Sequence, residues 1–409
     1  MQRELGYTQR HEGGQTLLMF VLFIIVLFVF VGLGVDLGFA YIAKARLSKA
    51  VDAACLMAVR NISAGQNTAA AVATNAFSMN YGAAGNTVAA PVPSIIFSND
   101  ANNNVLVDVA ATVSIKTYFI RVAGWKTLAV GSSAEATRAK LIMTLVLDRS
   151  HSMIDNGGAA AMPGVVTNFI SLFDDTRDHV ALVTFASTPA VDVPMAQPFK
   201  AGIINAVQTI YGSPGLVAGA TFSQGGLTNA LVQNQTVPIA PGDNVVKVTV
   251  FFTDGLANSI QDTLSCPSST LKDFGGLDSG NGYCLWSPVL AENNQNNVDC
   301  ADSTCSAAKF PSKQTSPPTM VSLTRANITA EGEFRSEQVA DDMRANNTIV
   351  YAVGLGNAIN AGFLEQIANV DGVRDPAKPE GLALIAPAAS DLQSVFQRVA
   401  DDILLRLTQ

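Results

Sequence analysis

The run TLLMFVLFIIVLFVFVGLGV, Thr16 to Val35, limits what this chain can fold into more than any other stretch. Its twenty residues carry no charge, and that is the length a helix needs to cross the hydrocarbon core of a bilayer. The run exceeds the apolar core of a cleaved secretory signal and has no evident small-residue cleavage site, so it reads as a retained transmembrane helix. No second run of this kind occurs in the sequence. The expectation is a single span, with residues 1–15 as a cytoplasmic tail and the bulk of the chain on the other side.

Basic residues do not fix the orientation, because Arg3 and Arg10 precede the span while Lys44, Arg46 and Lys49 follow it. The cysteines point the bulk outward. Cys266, Cys284, Cys300 and Cys305 fall within 40 residues of polar sequence, the pattern of disulfides in an oxidising compartment. Zinc is the competing reading, but neither a CxxC pair nor a nearby histidine supports it. The sequence does not choose among the three pairings that four cysteines allow. Cys55 stands apart, on the helical stretch, and is expected to stay free.

Helical periodicity continues beyond the membrane. From Asp36 to Arg60, residues Leu37, Ala40, Tyr41, Leu47, Ala50, Ala54 and Met57 fall near one stripe. No proline interrupts Thr16–Arg60, so one continuous helix is expected, with a juxtamembrane part over 36–62. Gly34 and Gly38 form a GxxxG spacing, read either as a face that admits a second helix closely or as glycines simply tolerated in a membrane helix. Over 63–138 the runs TVAAPVPSIIF, NVLVDVAATVSI and LAVGSSAEATRA, separated by turns, read as antiparallel strands of a small pilin-like region.

From about residue 139 the rhythm changes. Apolar strands at 141–147, 179–186, 245–252, 348–356 and 382–386 alternate with helical stretches, the clearest at 159–174, 333–346 and 388–407. That alternation predicts an α/β domain over 139–409, a doubly wound, mostly parallel sheet with helices on both faces. Residues 257–329, rich in Ser, Asn, Asp and Pro and carrying the four clustered cysteines, are too long for a connection. They read as an exposed, stapled insertion.

In a sheet of this kind ligands bind at the carboxyl ends of the strands. Asp148 ends LIMTLVLD, Asp254 ends VVKVTVFFTD, and Thr221 lies in the glycine-flanked turn GATFSQGG. With Ser150 and Ser152 they make two carboxylates and three hydroxyls at one rim. Hard oxygen donors without thiol or imidazole suit Mg²⁺ first, with Mn²⁺ or Ca²⁺ as alternatives. A serine hydrolase is a poor reading. His151 adjoins Ser152 and cannot form a relay by adjacency alone, no GxSxG elbow follows a strand, and the other histidines are His11 and His179. With 14% charged residues, a net charge of −8 and no basic cluster, nucleic acid is not an expected partner. No small-molecule substrate is expected either.

DRSHS at 148–152, the Thr221 turn and FFTDG at 251–255 occur in the order found in the von Willebrand factor A domain, which this half of the chain resembles. The resemblance implies a Rossmann-like fold with a metal-ion-dependent adhesion site. Ser150, Ser152 and Thr221 would be its direct ligands, and Asp148 and Asp254 would act directly or through water. His151 stands where many members have glycine. The N-terminal segment, with its VDLG exit at 35–38, Tyr41 followed by Arg46–Leu47, and VDAA at 51–54, is similar to TadE/TadG-like proteins of the tight-adherence pilus system. The combination implies a TadG-like, non-enzymatic component of Flp-type pilus assembly or anchoring. It would sit in the bacterial inner (cytoplasmic) membrane, with its C-terminal domain in the periplasm or outside the cell. Its cation would dock another subunit of the pilus machinery. The alternative is a surface adhesin that meets a host or matrix ligand through the same site. No glycine followed five residues later by glutamate marks prepilin processing near the N-terminus.

Overall fold

The computed structural model describes residues 13–82, 87–100, 104–213, 215–265, 270–278, 282–286, 309–322 and 324–408. They fall into two compact units, 1–99 with 105–137, and 100–104 with 138–409. Cys266, Cys300 and Cys305 lie outside the described residues, as does the side chain of Cys284, and the expected disulfides therefore lie there too. Cys55 is a buried free thiol.

The first unit is built on helix α1, Gly13–Arg60, about 72 Å long at 1.5 Å per residue. Among the described residues, most of its apolar N-terminal half is exposed: Phe20, Phe23, Phe28 and Phe30 are each more than half exposed. The C-terminal half packs instead. Leu47, Ala50, Val51, Ala54 and Ala58 are fully buried against helix α2, Gln66–Tyr81, and a three-stranded sheet. The sheet has the order β1 (Ser94–Asn99), β2 (Val105–Lys116), β3 (Thr127–Arg138), with β1 antiparallel to β2. Every second residue of β2 from Val105 to Ile115 enters the core. The expected helical stripe needs one correction. Leu37 and Tyr41 are exposed, at 53% and 77%, and the buried positions at that height are Gly32 and Asp36. The three strands overlap the runs read as strands, and helix α2 is an addition at the start of the 63–138 region. Ala69, Ala73, Phe77 and Tyr81 bury one narrow stripe, made half of alanine, so its period is faint in the sequence.

The second unit begins with β4, Lys140–Asp148, followed by α3 (Ser152–Asp155), α4 (Gly158–Ser171), β5 (His179–Phe185) and β6 (Pro189–Ala196). Helices α5 (Lys200–Gly212) and α6 (Ser223–Gln233) lead to β7, Val245–Thr253. A second sheet then intervenes: β8 (Ser259–Ser265), β9 (Thr270–Asp278), β10 (Gly282–Trp286), β11 (Lys309–Ser312) and β12 (Thr319–Ser322). The chain returns through α7 (Arg325–Ala345), β13 (Thr348–Leu355), α8 (Ala361–Ala368), β14 (Ala383–Ala386) and α9 (Leu392–Arg406).

The main sheet has the order β14-β13-β7-β4-β5-β6, parallel except for the antiparallel edge strand β6. Alternate residues of the central strand go to opposite faces. Leu141, Met143, Leu145 and Leu147 pack in a core with α4, α5 and α9, while Val146 joins one with α6, α7 and α8. Covering both faces explains why these strands read as unbroken apolar runs. One polar group is tolerated inside because it is saturated. Asn234 accepts the Thr144 hydroxyl at 2.7 Å and donates to Thr249 Oγ1 at 2.8 Å, joining β4 to β7.

The insertion expected as an exposed stapled loop contains the five-stranded sheet β10-β9-β8-β11-β12. Buried Arg335 of α7 ties it down. Its guanidinium donates to the Gln261 carbonyl at 3.0 Å, Asp262 at 2.5 Å, the Pro311 carbonyl at 3.1 Å and Glu331 at 2.6 Å. Glu331 in turn accepts from Ser312 and the Lys313 N–H, both at 2.8 Å.

Candidate metal centre

Strand order places the site. The chain leaves β4 toward β5 on one side and later returns to pair β7 on the other, so the C-terminal ends of β4 and β7 flank a switch point. Asp148 is the last residue of β4, and Asp254 follows the last residue of β7.

Asp148 lies wholly beneath the rim, with no exposed surface. One carboxylate oxygen accepts the Ser150 N–H at 2.8 Å and the other accepts the Thr253 hydroxyl at 2.6 Å. Its carbonyl accepts the Tyr211 hydroxyl at 2.7 Å. Asp254, also buried, accepts the Ser152 hydroxyl at 2.7 Å and the Asn156 amide at 3.0 Å on its two oxygens. Ser150 Oγ lies 3.1 Å from Ser152 Oγ and 3.5 Å from Asp254 Oδ1. Thr221 arrives from the α6 turn, its backbone held by Asn258 through bonds of 2.6 and 3.2 Å. A methyl group on Gly255 would stand 3.7 Å from Ser152 Oγ and 3.9 Å from Thr221 Oγ1, so both hydroxyls lie beside Gly255.

That turn needs its glycine. Gly219 has φ +100°, and a Cβ there would lie 2.3 Å from Ser187 Oγ, the atom that accepts the Ala220 N–H. The Gly219 carbonyl accepts the His151 N–H at 3.2 Å and so joins the two loops. His151 itself is exposed. Arg149 turns away from the site: its Nε donates to Thr184 Oγ1 at 2.7 Å.

The electrostatics are unfavourable for two bare anions. Burial first, and then the Asp254 charge, push the Asp148 carboxyl up to about 7, against the bonds from Ser150 and Thr253 that favour the anion. Burial raises Asp254 as well, opposed by Ser152 and Asn156. Two crowded buried carboxylates facing hydroxyl oxygens are the donor set a hard dication satisfies, so the residues present fit such an ion. Among the described residues no group of three or more His, Cys, Asp or Glu could hold a metal, and any ion at this rim would depend on the hydroxyls. Sequence reasoning singled out neither Asn156 nor Thr253. Asn156 stands one helical turn after Ser152, and Thr253 directly precedes Asp254 in the strand opposite Asp148.

Residues 143–277 match the family model of the von Willebrand factor type A domain, and residues 14–61 match the model described as "Putative Flp pilus-assembly TadE/G-like". The chain joins a TadE/G-like segment to a von Willebrand factor A domain. Among curated proteins no sequence matches it. Solved structures similar in fold include proximal thread matrix protein 1 from the mussel byssus, one form of which has a zinc-occupied MIDAS motif. Identity is 16% and the TM-score 0.37, over 65% of this chain and 46% of that one. The pilus adhesin SpaC of Lactobacillus rhamnosus GG aligns at 15% identity and TM-score 0.42, over 78% of this chain and 35% of that one. The von Willebrand factor domain of the type V pilus tip protein Mfa5 from Porphyromonas gingivalis aligns at 13% and 0.42, over 66% and 97%. This chain thus spans less than half the length of the mussel and SpaC chains.

Proposed function

We propose that the protein is a membrane-anchored, extracytoplasmic component of Flp-type pilus assembly or anchoring, and that its von Willebrand factor A rim grips a protein partner through a divalent cation. One observation carries the reading: at the switch point of the sheet, buried Asp148 accepts the Ser150 N–H and buried Asp254 meets the Ser150 and Ser152 hydroxyls. Ser150, Ser152 and Thr221 are the proposed direct ligands, with Asp148 and Asp254 acting directly or through water. The cation bridges to a carboxylate of the partner and performs no chemistry, so the protein is not an enzyme. Mg²⁺ is the proposed ion, since the donors are all oxygen.

The anchor is the apolar half of α1, whose phenylalanines are exposed among the described residues. Export of the remainder places the insertion where Cys266, Cys284, Cys300 and Cys305 pair as two disulfides; mass mapping that found four free thiols would remove that part. The test of the main reading is capture of pilus subunits by the full-length protein, with and without EDTA. Capture should be lost with EDTA and with Ser152→Ala, and restored to the wild type by Mg²⁺. Capture that survives both perturbations refutes the cation's role. Protease added to intact cells separates this reading from a surface adhesin, because a periplasmic domain is protected.

A further inference from the structure

The turn joining β2 to β3 exposes four large apolar side chains close together in sequence. Tyr118, Phe119, Val122 and Trp125 are exposed at 52%, 46%, 92% and 68%, and Arg121 and Lys126 are exposed beside them. A free hairpin tip of that composition would be an aggregation hazard. This one is not free to wander. Asp36 of α1 is buried and accepts three consecutive backbone N–H groups, from Tyr118, Phe119 and Ile120, at 2.8 to 2.9 Å. Phe119 lies across Gly32, where even a Cβ would come within 2.5 Å of the ring, and Tyr118 meets Phe39 with ring centroids 5.6 Å apart. Across the base of the turn the Thr117 N–H donates to the Lys126 carbonyl at 3.2 Å.

These contacts fix the height of the tip along α1. Gly32 lies inside the uncharged run that ends at Val35, so the tip reaches about 5 Å below the end of that run at 1.5 Å per residue. Tyr and Trp with neighbouring Arg and Lys are the residues that settle where headgroups meet acyl chains, the rings half in hydrocarbon and the cations among phosphates. We propose that residues 117–126 form an interfacial foot, seated in the headgroup layer of the same bilayer that α1 crosses and bracing the helix as it emerges. The inference rests on the transmembrane reading of α1 and adds a second membrane contact, made by the folded sheet itself.

The chain has two tryptophans, Trp125 and Trp286, so Trp286→Phe leaves Trp125 as the sole reporter. Full-length Trp286→Phe protein is reconstituted into liposomes whose lipids carry bromine at defined acyl depths, and a density gradient reports flotation of the same sample. Flotation with blue-shifted emission, quenched more strongly by shallow than by deep bromine, supports the foot. Flotation with water-like, unquenched emission overturns it while leaving the anchor intact. Failure to float overturns both readings. Adding Val122→Asp should shift Trp125 emission to the red and reduce quenching without changing flotation; no response to that charge also overturns the proposal.

Discussion

Replacing Asp148 by asparagine should stabilise the metal-free protein above neutral pH, although it damages the proposed site. In the folded state the Asp148 carboxyl is displaced from its ordinary 3.8 to about 7. Between those values the metal-free folded protein holds a proton that the unfolded chain has released, so stability falls as pH rises through the window and levels off above it. A displacement of that size is worth roughly 4 kcal/mol at pH 8. Asparagine keeps the acceptor for the Ser150 N–H, and its new amide N–H₂ faces Thr253 Oγ1, whose hydroxyl can donate instead to the Gly255 carbonyl at 3.3 Å. Little bonding is lost and the buried charge disappears. The variant should therefore gain roughly 2–3 kcal/mol at pH 8 in EDTA, on the order of 5–10 °C in melting temperature for a domain of this size. Thermal melts of the full-length protein in detergent from pH 4 to pH 8 provide the test. Wild type and variant should converge at the acid end, and millimolar Mg²⁺ should raise the wild type at pH 8 while leaving the variant unmoved. A variant no more stable than the wild type at pH 8 in EDTA, or a wild type whose melting does not fall with rising pH, would refute the argument.

Other residues give sharper structural tests. Asn234→Ala strands the Thr144 and Thr249 hydroxyls inside the sheet and should cost about 2–4 kcal/mol in urea unfolding. Asp178→Ala leaves the buried Arg138 guanidinium without its two-point partner, at 2.7 and 2.9 Å, and should cost roughly 3–5 kcal/mol by the same measurement. Gly226→Ala drives a methyl to 2.7 Å from Phe185 and 3.0 Å from Val146, for a loss of about 1–3 kcal/mol. Burial raises the Cys55 thiol to about 11, helped by Asp108, Asp52 and Glu135, so alkylation of native protein should be far slower than of unfolded chain at pH 8.

The strands β4, β5, β7 and β13 were legible because both faces are covered and the sequence shows each as an apolar block. Edge strand β6 was not, since PAVDVPMA carries two prolines and an aspartate that suit an edge and resemble a loop. Helix α2 was hidden by its alanines, and the sheet in the insertion by pairings such as Lys309 with Ser265 that no local pattern encodes. At the rim, Asp148 and Asp254 could be read from strand ends. The depth of Asp148, its bond to Thr253 and the part played by Asn156 depend on how two strands and a short helix pack, and a linear reading has no access to that.

The bond between Arg138 and Asp178 acquires a mechanical meaning once the proposed partner is considered under tension. With the first unit held at a membrane and the rim gripped by a partner, a pull would enter the second unit at Arg138 and pass into β4, which ends at Asp148 beside the proposed ligands. That strand is paired in register at seven positions with β5 and eight with β7. Pulled along its axis, it strains those ladders together in shear, whereas an edge strand pulled sideways would peel one bond at a time. Arg138 joins the entry end of β4 to Asp178, just before the start of β5, so such a pull would be shared with a second strand before reaching the ladder. The connection from the first unit thus enters the sheet through an interior strand and not through an edge.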